Sequence, residues 1–176
     1  YGVFLARNVI NEPAITLTPV ELAKRAKEAV ELLGVEVEIL DRAAGEALNM
    51  KAFLAVDKGT TNEPRGIIMR YKGGQDEAPL GLVGKGVTFD TGGYSIKPGP
   101  SMYTMNGDMG GSGAVIGAMK AIALNQLKKN VTAVVLATDN VISGDAYVPG
   151  DVVGSMLGKT IEIHSTDAEG RLTLAD

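Results

Sequence analysis

Ala114–Leu127 is apolar nearly all round, and this segment constrains the fold more than any other. A helix without a polar face must be covered on several sides, which places it inside a layered domain. The covering layers are legible around it. Gly66–Arg70, Leu80–Val83 and Val131–Ala137 are short apolar runs of the kind that form buried strands. Val35, Val37 and Ile39 alternate with Glu36 and Glu38, the pattern of a half-buried strand, and Lys159–His164 reads as another. Thr18-Pro19-Val20-Glu21 has the features of a helix start: an N-cap hydroxyl, a proline at the first helical position and a glutamate completing a capping box. Leu22, Ala23, Ala26, Ala29, Val30 and Leu33 follow at helical spacing, and Gly34 ends the run. A short helix is expected around residues 41–50. Helices alternating with apolar strands predict an α/β fold, with a mixed, largely parallel central sheet flanked by helices on both faces.

A chain of 176 residues is long enough for one domain with a real core. Aromatics make up only 5% of it, so that core must be built from Ala, Val, Ile, Leu and Met. The net charge of -4 argues against general binding to nucleic acid or a membrane surface. No apolar run reaches the roughly 18 residues needed to span a bilayer. There is no cysteine, which excludes disulfides and thiolate metal sites and fits a cytoplasmic protein.

Residues 84–113 hold much of the glycine and read as a long ordered loop, a feature that is usually functional. Lys85, Asp90, Lys97 and Asp108 stand there among apolar residues and glycines, where charge is costly unless paired or bound to metal. A phosphate-binding loop at Gly84-Lys85 fails, because Pro79 stands where the first glycine is required and Gly86 where a hydroxyl is required. Gly111, Gly113 and Gly117 resemble a dinucleotide loop only weakly; close helix packing accounts for Gly117. At the far end, Asp167, Glu169 and Arg171 occupy alternate positions, which would share one side of an extended segment. Taken alone, such a triplet is more often a solvated strand face. Together with Asp90 and Asp108 it offers four carboxylates, enough to neutralise two divalent cations, and oxygen-rich sites suit Zn, Mn or Mg.

The stretches "GKGVTFDTGGYSIKP", "DMGGSGAVIGAM" and "STDAEGRLTLAD" closely resemble the leucyl aminopeptidases, the cytosol aminopeptidase family of two-metal exopeptidases. "LARNVINEPAITLTP" and "ISGDAYVPGDVV" support the same resemblance, which covers essentially the whole chain. It implies that Lys85, Asp90, Asp108, Asp167 and Glu169 are metal ligands, with Asp90 and Glu169 shared between two divalent ions, zinc or manganese. Lys85 and Asp108 would complete the tighter site and Asp167 the more exchangeable one. It implies catalytic roles for Lys97, facing the developing oxyanion, and for Arg171, anchoring a bicarbonate ion that acts as general base. It implies peptide substrates cleaved at the N-terminal bond, apolar N-terminal residues such as leucine among them, and a homo-hexameric assembly. The family carries an N-terminal domain before such a segment and more catalytic domain after it, so residues 1–176 are expected to be an incomplete catalytic domain.

Two positions depart from the family pattern, which usually has Lys where Asn106 stands and Asn where Ser165 stands. The lone histidine, His164, matches no ligand and reads as a strand residue. Met102, Met105 and Met109 could line an apolar substrate pocket or simply fill the core. A binding or regulatory role on the same fold, DNA binding included, is the competing class, and the acidic balance of the chain gives it no support.

Overall fold

The computed structural model describes all 176 residues, Tyr1–Asp176. Four strands form the central sheet in the order β1-β2-β4-β3: β1 (Glu36–Leu40), β2 (Arg65–Lys72), β3 (Leu80–Asp90) and β4 (Asn130–Asn140). A separate ribbon pairs β5 (Val152–Gly154) with β6 (Thr160–Glu162). Helices α1 (Gly2–Asn11), α2 (Pro19–Val30) and α6 (Gly110–Leu124) pack on one face of the sheet. On the other face α4 (Lys51–Asp57) and α7 (Glu169–Ala175) form the cover, with α3 (Arg42–Ala47) beside α4 and the short α5 (Gly99–Met102) in the loop after β3.

The α/β class and the helices on both faces agree with the sequence reading, but the balance of strand directions differs. Only β3 and β4 are parallel; β1–β2 and β2–β4 are antiparallel. The connections explain this. A single helix, α6, carries the chain from the end of β3 back to the start of β4 and so makes that pair parallel. Two helices, α3 and α4, lie between β1 and β2, so the chain returns to the end where β1 stopped. Apolar periodicity reports burial and not direction.

Alternation sorts the strand residues between the two faces. Ile67, Met69 and Tyr71 of β2, with Val131, Ala133, Val135 and Ala137 of β4, join Leu22, Ala26 and Val30 of α2 and Ile116 and Met119 of α6 in the main core. Leu136 turns the other way and meets Met50 and Phe53. Thr18 caps α2 as expected, accepting from the Glu21 amide at 3.3 Å. The second half of the capping box is not made, because the Glu21 carboxylate accepts instead from Arg25 at 2.9 Å.

Helix α6 is less enclosed than its composition predicts: Ala114 is exposed, and Leu124 is 45% exposed. Its tightest contact is with α1, a helix the hydrophobic pattern left unread. A Cβ on Gly117 would stand 2.5 Å from the Gly2 carbonyl oxygen, and one on Gly2 would be as badly placed against Gly117. The glycine at 117 therefore serves helix packing. No helix is long and apolar enough to cross a membrane.

Candidate metal centre

Strand β3 runs straight through the first part of the region read as loop, and delivers Lys85 and Asp90. Its charges and glycines disguise it. Gly84 and Gly86 are strand residues whose missing side chains admit neighbouring backbone: a Cβ at Gly84 would lie 2.8 Å from Gly111 O, and one at Gly86 2.7 Å from Leu136 O. In a regular strand, residues 85 and 90 would point to opposite faces. The register with β4 shifts between Val87 and Asp90, and that irregularity turns both toward one site.

Beyond Asp90 the chain makes a tight turn in which the Gly92 amide donates to Asp90 Oδ1 at 2.7 Å. Gly92 and Gly93 adopt φ of +84° and +62°, a region open to glycine at little cost. The turn closes with Lys97 N donating to Thr91 O at 2.9 Å, which brings the Lys97 side chain back over Asp90. Asp108 arrives from a single 3-10 turn, Met105–Gly107, just before α6.

Asp167, Glu169 and Arg171 do not lie on an extended segment. Strand β6 stops at Glu162; Thr166–Ala168 is a 3-10 turn and Glu169 opens α7. The Ser165 hydroxyl caps this turn, accepting from Asp167 N at 3.2 Å. Asp167 and Glu169 still converge, because the switch from 3-10 to α geometry swings Glu169 inward. Arg171 makes no ion pair within the cluster. It is exposed, in a shallow groove of about 280 Å³ lined also by Glu162, His164, Ser165 and Leu172.

The result is two lysines, each held between two carboxylates. Lys85 Nζ lies 2.7 Å from Asp108 Oδ2 and 2.5 Å from Glu169 Oε1. Lys97 Nζ lies 3.0 Å from Asp90 Oδ2 and 2.5 Å from Asp167 Oδ1. Asp90 and Glu169 are each 1% exposed. Carboxylate oxygens of Asp90, Asp167 and Glu169 fall within 4.8 Å of one another. Asp108 Oδ2 is buried and, despite the nearby ammonium, receives no well-directed hydrogen bond.

Those features fit divalent cations. The donors are carboxylate oxygens, they outnumber the ammonium groups two to one, and three of them lie close enough together to hold a metal ion. Titration behaviour reflects the same excess of negative charge. Burial raises the Asp108 carboxyl to about 6, although Lys85 pulls it down, and Glu169 and Asp90 add repulsion. Burial alone would lower the Lys85 ammonium, yet the Asp108 and Glu169 carboxylates outweigh it and hold the group above its ordinary value. Lys97 is likewise held up: Asp167 and Asp90 overcome desolvation. Lys85 is thus held as an ammonium between Asp108 and Glu169.

The structure supplies further residues that sequence reasoning missed. Asn140, at the end of β4, donates from Nδ2 to Asp90 Oδ1 at 2.8 Å and to Thr166 O at 2.9 Å. Thr166 donates to Gly92 O and accepts from Ser95 N, clipping the glycine turn to the segment that carries Asp167. Tyr147 OH donates to Thr166 O at 2.9 Å. A signal for Asn140 was available: Thr138-Asp139-Asn140 is a polar run at the carboxyl end of an apolar strand, where open α/β sheets place their ligands. Of the remaining candidates, His164 is exposed and 3.5 Å from Glu162, outside the cluster. Met109 is fully buried in the core, and Met102 and Met105 are half-buried in the turns before Asp108.

A carboxylate–lysine cluster at the strand ends of an α/β sheet defines a candidate metallohydrolase. The sequence model of the cytosol aminopeptidase family, catalytic domain, matches residues 4–176, and the chain belongs to that family. A probable cytosol aminopeptidase of Clostridium tetani is 59% identical over 176 residues, covering 99% of this chain and 37% of that protein. One from Clostridium perfringens is 56% identical over 98% of this chain and 35% of its own length. Among solved structures, the cytosol aminopeptidase of Coxiella burnetii superposes with a TM-score of 0.92 at 39% identity, over 98% of this chain and 37% of that one. The bottromycin maturation enzyme BotP, in complex with Mn, gives 0.93 at 38% identity, over 99% and 38%. The chain thus spans little more than a third of the length of the proteins it matches.

Proposed function

We propose that this chain is the metal-holding part of an aminopeptidase that hydrolyses the N-terminal bond of peptides. The observation that carries the reading is the convergence of Asp90, Asp108, Asp167 and Glu169, from separate segments, around Lys85 and Lys97. Lys85, Asp90, Asp108, Asp167 and Glu169 would hold two divalent ions, zinc or manganese; manganese is the metal named for BotP. When bound, such ions supply Lewis-acid activation of the scissile carbonyl and acidify a water to hydroxide.

The chain's own residues do the rest. Asp90 and Glu169 are nearly inaccessible to solvent, which supports reading them as the carboxylates that two ions would share. Lys97, whose ammonium is held above its ordinary value, would be the cation left for substrate if Asp90 and Asp167 held metal. Its ammonium then donates to the carbonyl oxygen as negative charge develops there. Arg171, exposed and free to meet an anion, is the proposed holder of a bicarbonate that takes the proton from the attacking water. Leucine and other apolar N-terminal residues as substrates, a homo-hexamer, and the cytosolic location in the relatives' names belong to the same proposal.

The deciding experiment pairs metal analysis with peptide hydrolysis. Two equivalents of Zn²⁺ or Mn²⁺ and release of free N-terminal residues from peptides are expected. Metal-replete full-length protein that releases none would overturn the activity. Asp90→Ala should abolish binding of both ions, and one tight equivalent retained would refute a shared ligand.

A further inference from the structure

We propose that Asn140 is the positioning residue of the metal centre, a single amide that orients both shared carboxylates at once; this rests on reading the cluster as a two-metal site. Asn140 is 1% exposed and sits across the β3–β4 pairing from Asp90. Its backbone is fixed as well, since Asn140 O accepts from Thr91 N at 2.9 Å and Thr91 Oγ1 at 3.0 Å. The side-chain Nδ2 then faces three acceptors: Asp90 Oδ1 at 2.8 Å, Thr166 O at 2.9 Å and Glu169 Oε2 at 3.4 Å.

Those acceptors settle which way the amide points, because the reverse orientation would set an oxygen against three oxygens. Asn140 Oδ1 is consequently turned away, buried, and without a partner. A side chain that leaves its own acceptor unsatisfied gains its stability from what its donor does. Thr166 O accepts from the Tyr147 hydroxyl as well, at 2.9 Å, and the two amide hydrogens are shared among three acceptors, with the contact to Glu169 the longest. Gly93 completes the device: a Cβ there would lie 3.1 Å from Asn140 Oδ1 and 2.9 Å from Thr166 Oγ1.

The consequence is coupling. Asp90 comes from β3 and Glu169 from α7, and the Asn140 amide donates to both. Each shared carboxylate presents one oxygen to Asn140, which determines the oxygen left for the ions. Losing a partner of this kind typically weakens metal binding about 10–100-fold. Because Asp90 and Glu169 would each touch two ions, both binding steps should weaken together.

Cobalt provides the test, since its visible absorption reports ligand geometry. Co²⁺ is titrated into wild-type and Asn140→Ala protein and followed by calorimetry and absorption, with circular dichroism as the check on folding. Wild type should take up two equivalents. Asn140→Ala should bind both about 10–100-fold more weakly, with an altered absorption envelope. Unchanged binding and spectrum, or a change confined to one step, overturns the proposal. Wild-type protein that binds no cobalt overturns the metal centre itself, which is a different failure. Should Asn140→Ala not fold, Asn140→Ser, whose hydroxyl can donate to only one acceptor, is expected to weaken both steps by a smaller factor; wild-type binding by that variant also overturns the proposal.

Discussion

Gly170 is packed against the aliphatic stem of Lys85: a Cβ there would stand 2.8 Å from Lys85 Cδ, 2.9 Å from Cε and 3.0 Å from Nζ. The glycine follows Glu169, the residue that grips the same ammonium, so it makes room for the lysine whose head its neighbour holds. A lysine stem can swing aside at modest cost, but not while its head stays between Asp108 and Glu169. Gly170→Ala is therefore expected to fold, with a loss of stability of about 1–3 kcal/mol from overpacking. Binding of the metal that Lys85 would ligate should weaken at least about tenfold. Thermal unfolding and metal calorimetry on the same sample check both halves.

Lys97 allows ligation and catalysis to be separated. If its ammonium serves the oxyanion, Lys97→Met should keep both metal equivalents and lower kcat about 10²–10³-fold, the usual effect of removing one such donor. KM should change little, because the interaction strengthens in the transition state. A loss of metal with kcat per bound metal unchanged would assign Lys97 to the structure of the site instead.

The way these residues meet shows what could be read in advance. The five proposed ligand positions stand in the long ordered motifs that carry the family resemblance. Alternation along a strand does not account for how Asp167 and Glu169 meet: they do so through a 3-10 turn passing into α7. Local spacing suits several conformations, and the Ser165 cap that decides between them depends on a hydroxyl found in many loops. The same limit hid the second half of β3, where Gly84 and Gly86 mimic a loop because the contacts that exclude their side chains come from Gly111 and Leu136, distant in sequence. Asn140 is legible as a polar residue ending an apolar strand, but its partners are not. Its role exists only once β3, β4 and α7 are assembled.

Acidity should act on the empty site and the loaded site in opposite directions. Asp108 has its carboxyl raised to about 6 by burial, so the folded protein holds that proton more tightly than the unfolded chain. Its contribution to stability is thus greatest below the ordinary carboxylate range, declines as pH rises toward about 6, and is flat above. Metal-free protein should accordingly lose stability between about pH 4 and 6 through this group. If Asp108 and Lys85 ligate metal, binding needs the carboxylate ionised and the Lys85 proton gone, so affinity should fall as pH drops through 6, with protons released on binding. Melting curves with and without Zn²⁺ across that range, and calorimetry in buffers of different ionisation enthalpy, test the pair of signs.

Asn106 stands where the family resemblance implies a lysine, and its structural role predicts what that substitution would do. Its Nδ2 donates to Ile10 O at 3.3 Å and Glu12 O at 3.1 Å, capping the carboxyl end of α1 and tying it to the turn before Asp108. A lysine ammonium could bond the same carbonyls and would sit favourably at the negative end of that helix. Asn106→Lys should therefore keep metal affinity and stability close to wild type. Asn106→Ala leaves the carbonyls unpaired, costing about 1–2 kcal/mol, and frees the turn that positions Asp108. Its metal affinity should drop while that of Asn106→Lys does not. Equal affinity in the two variants would show that α1 does not support the metal loop through this residue.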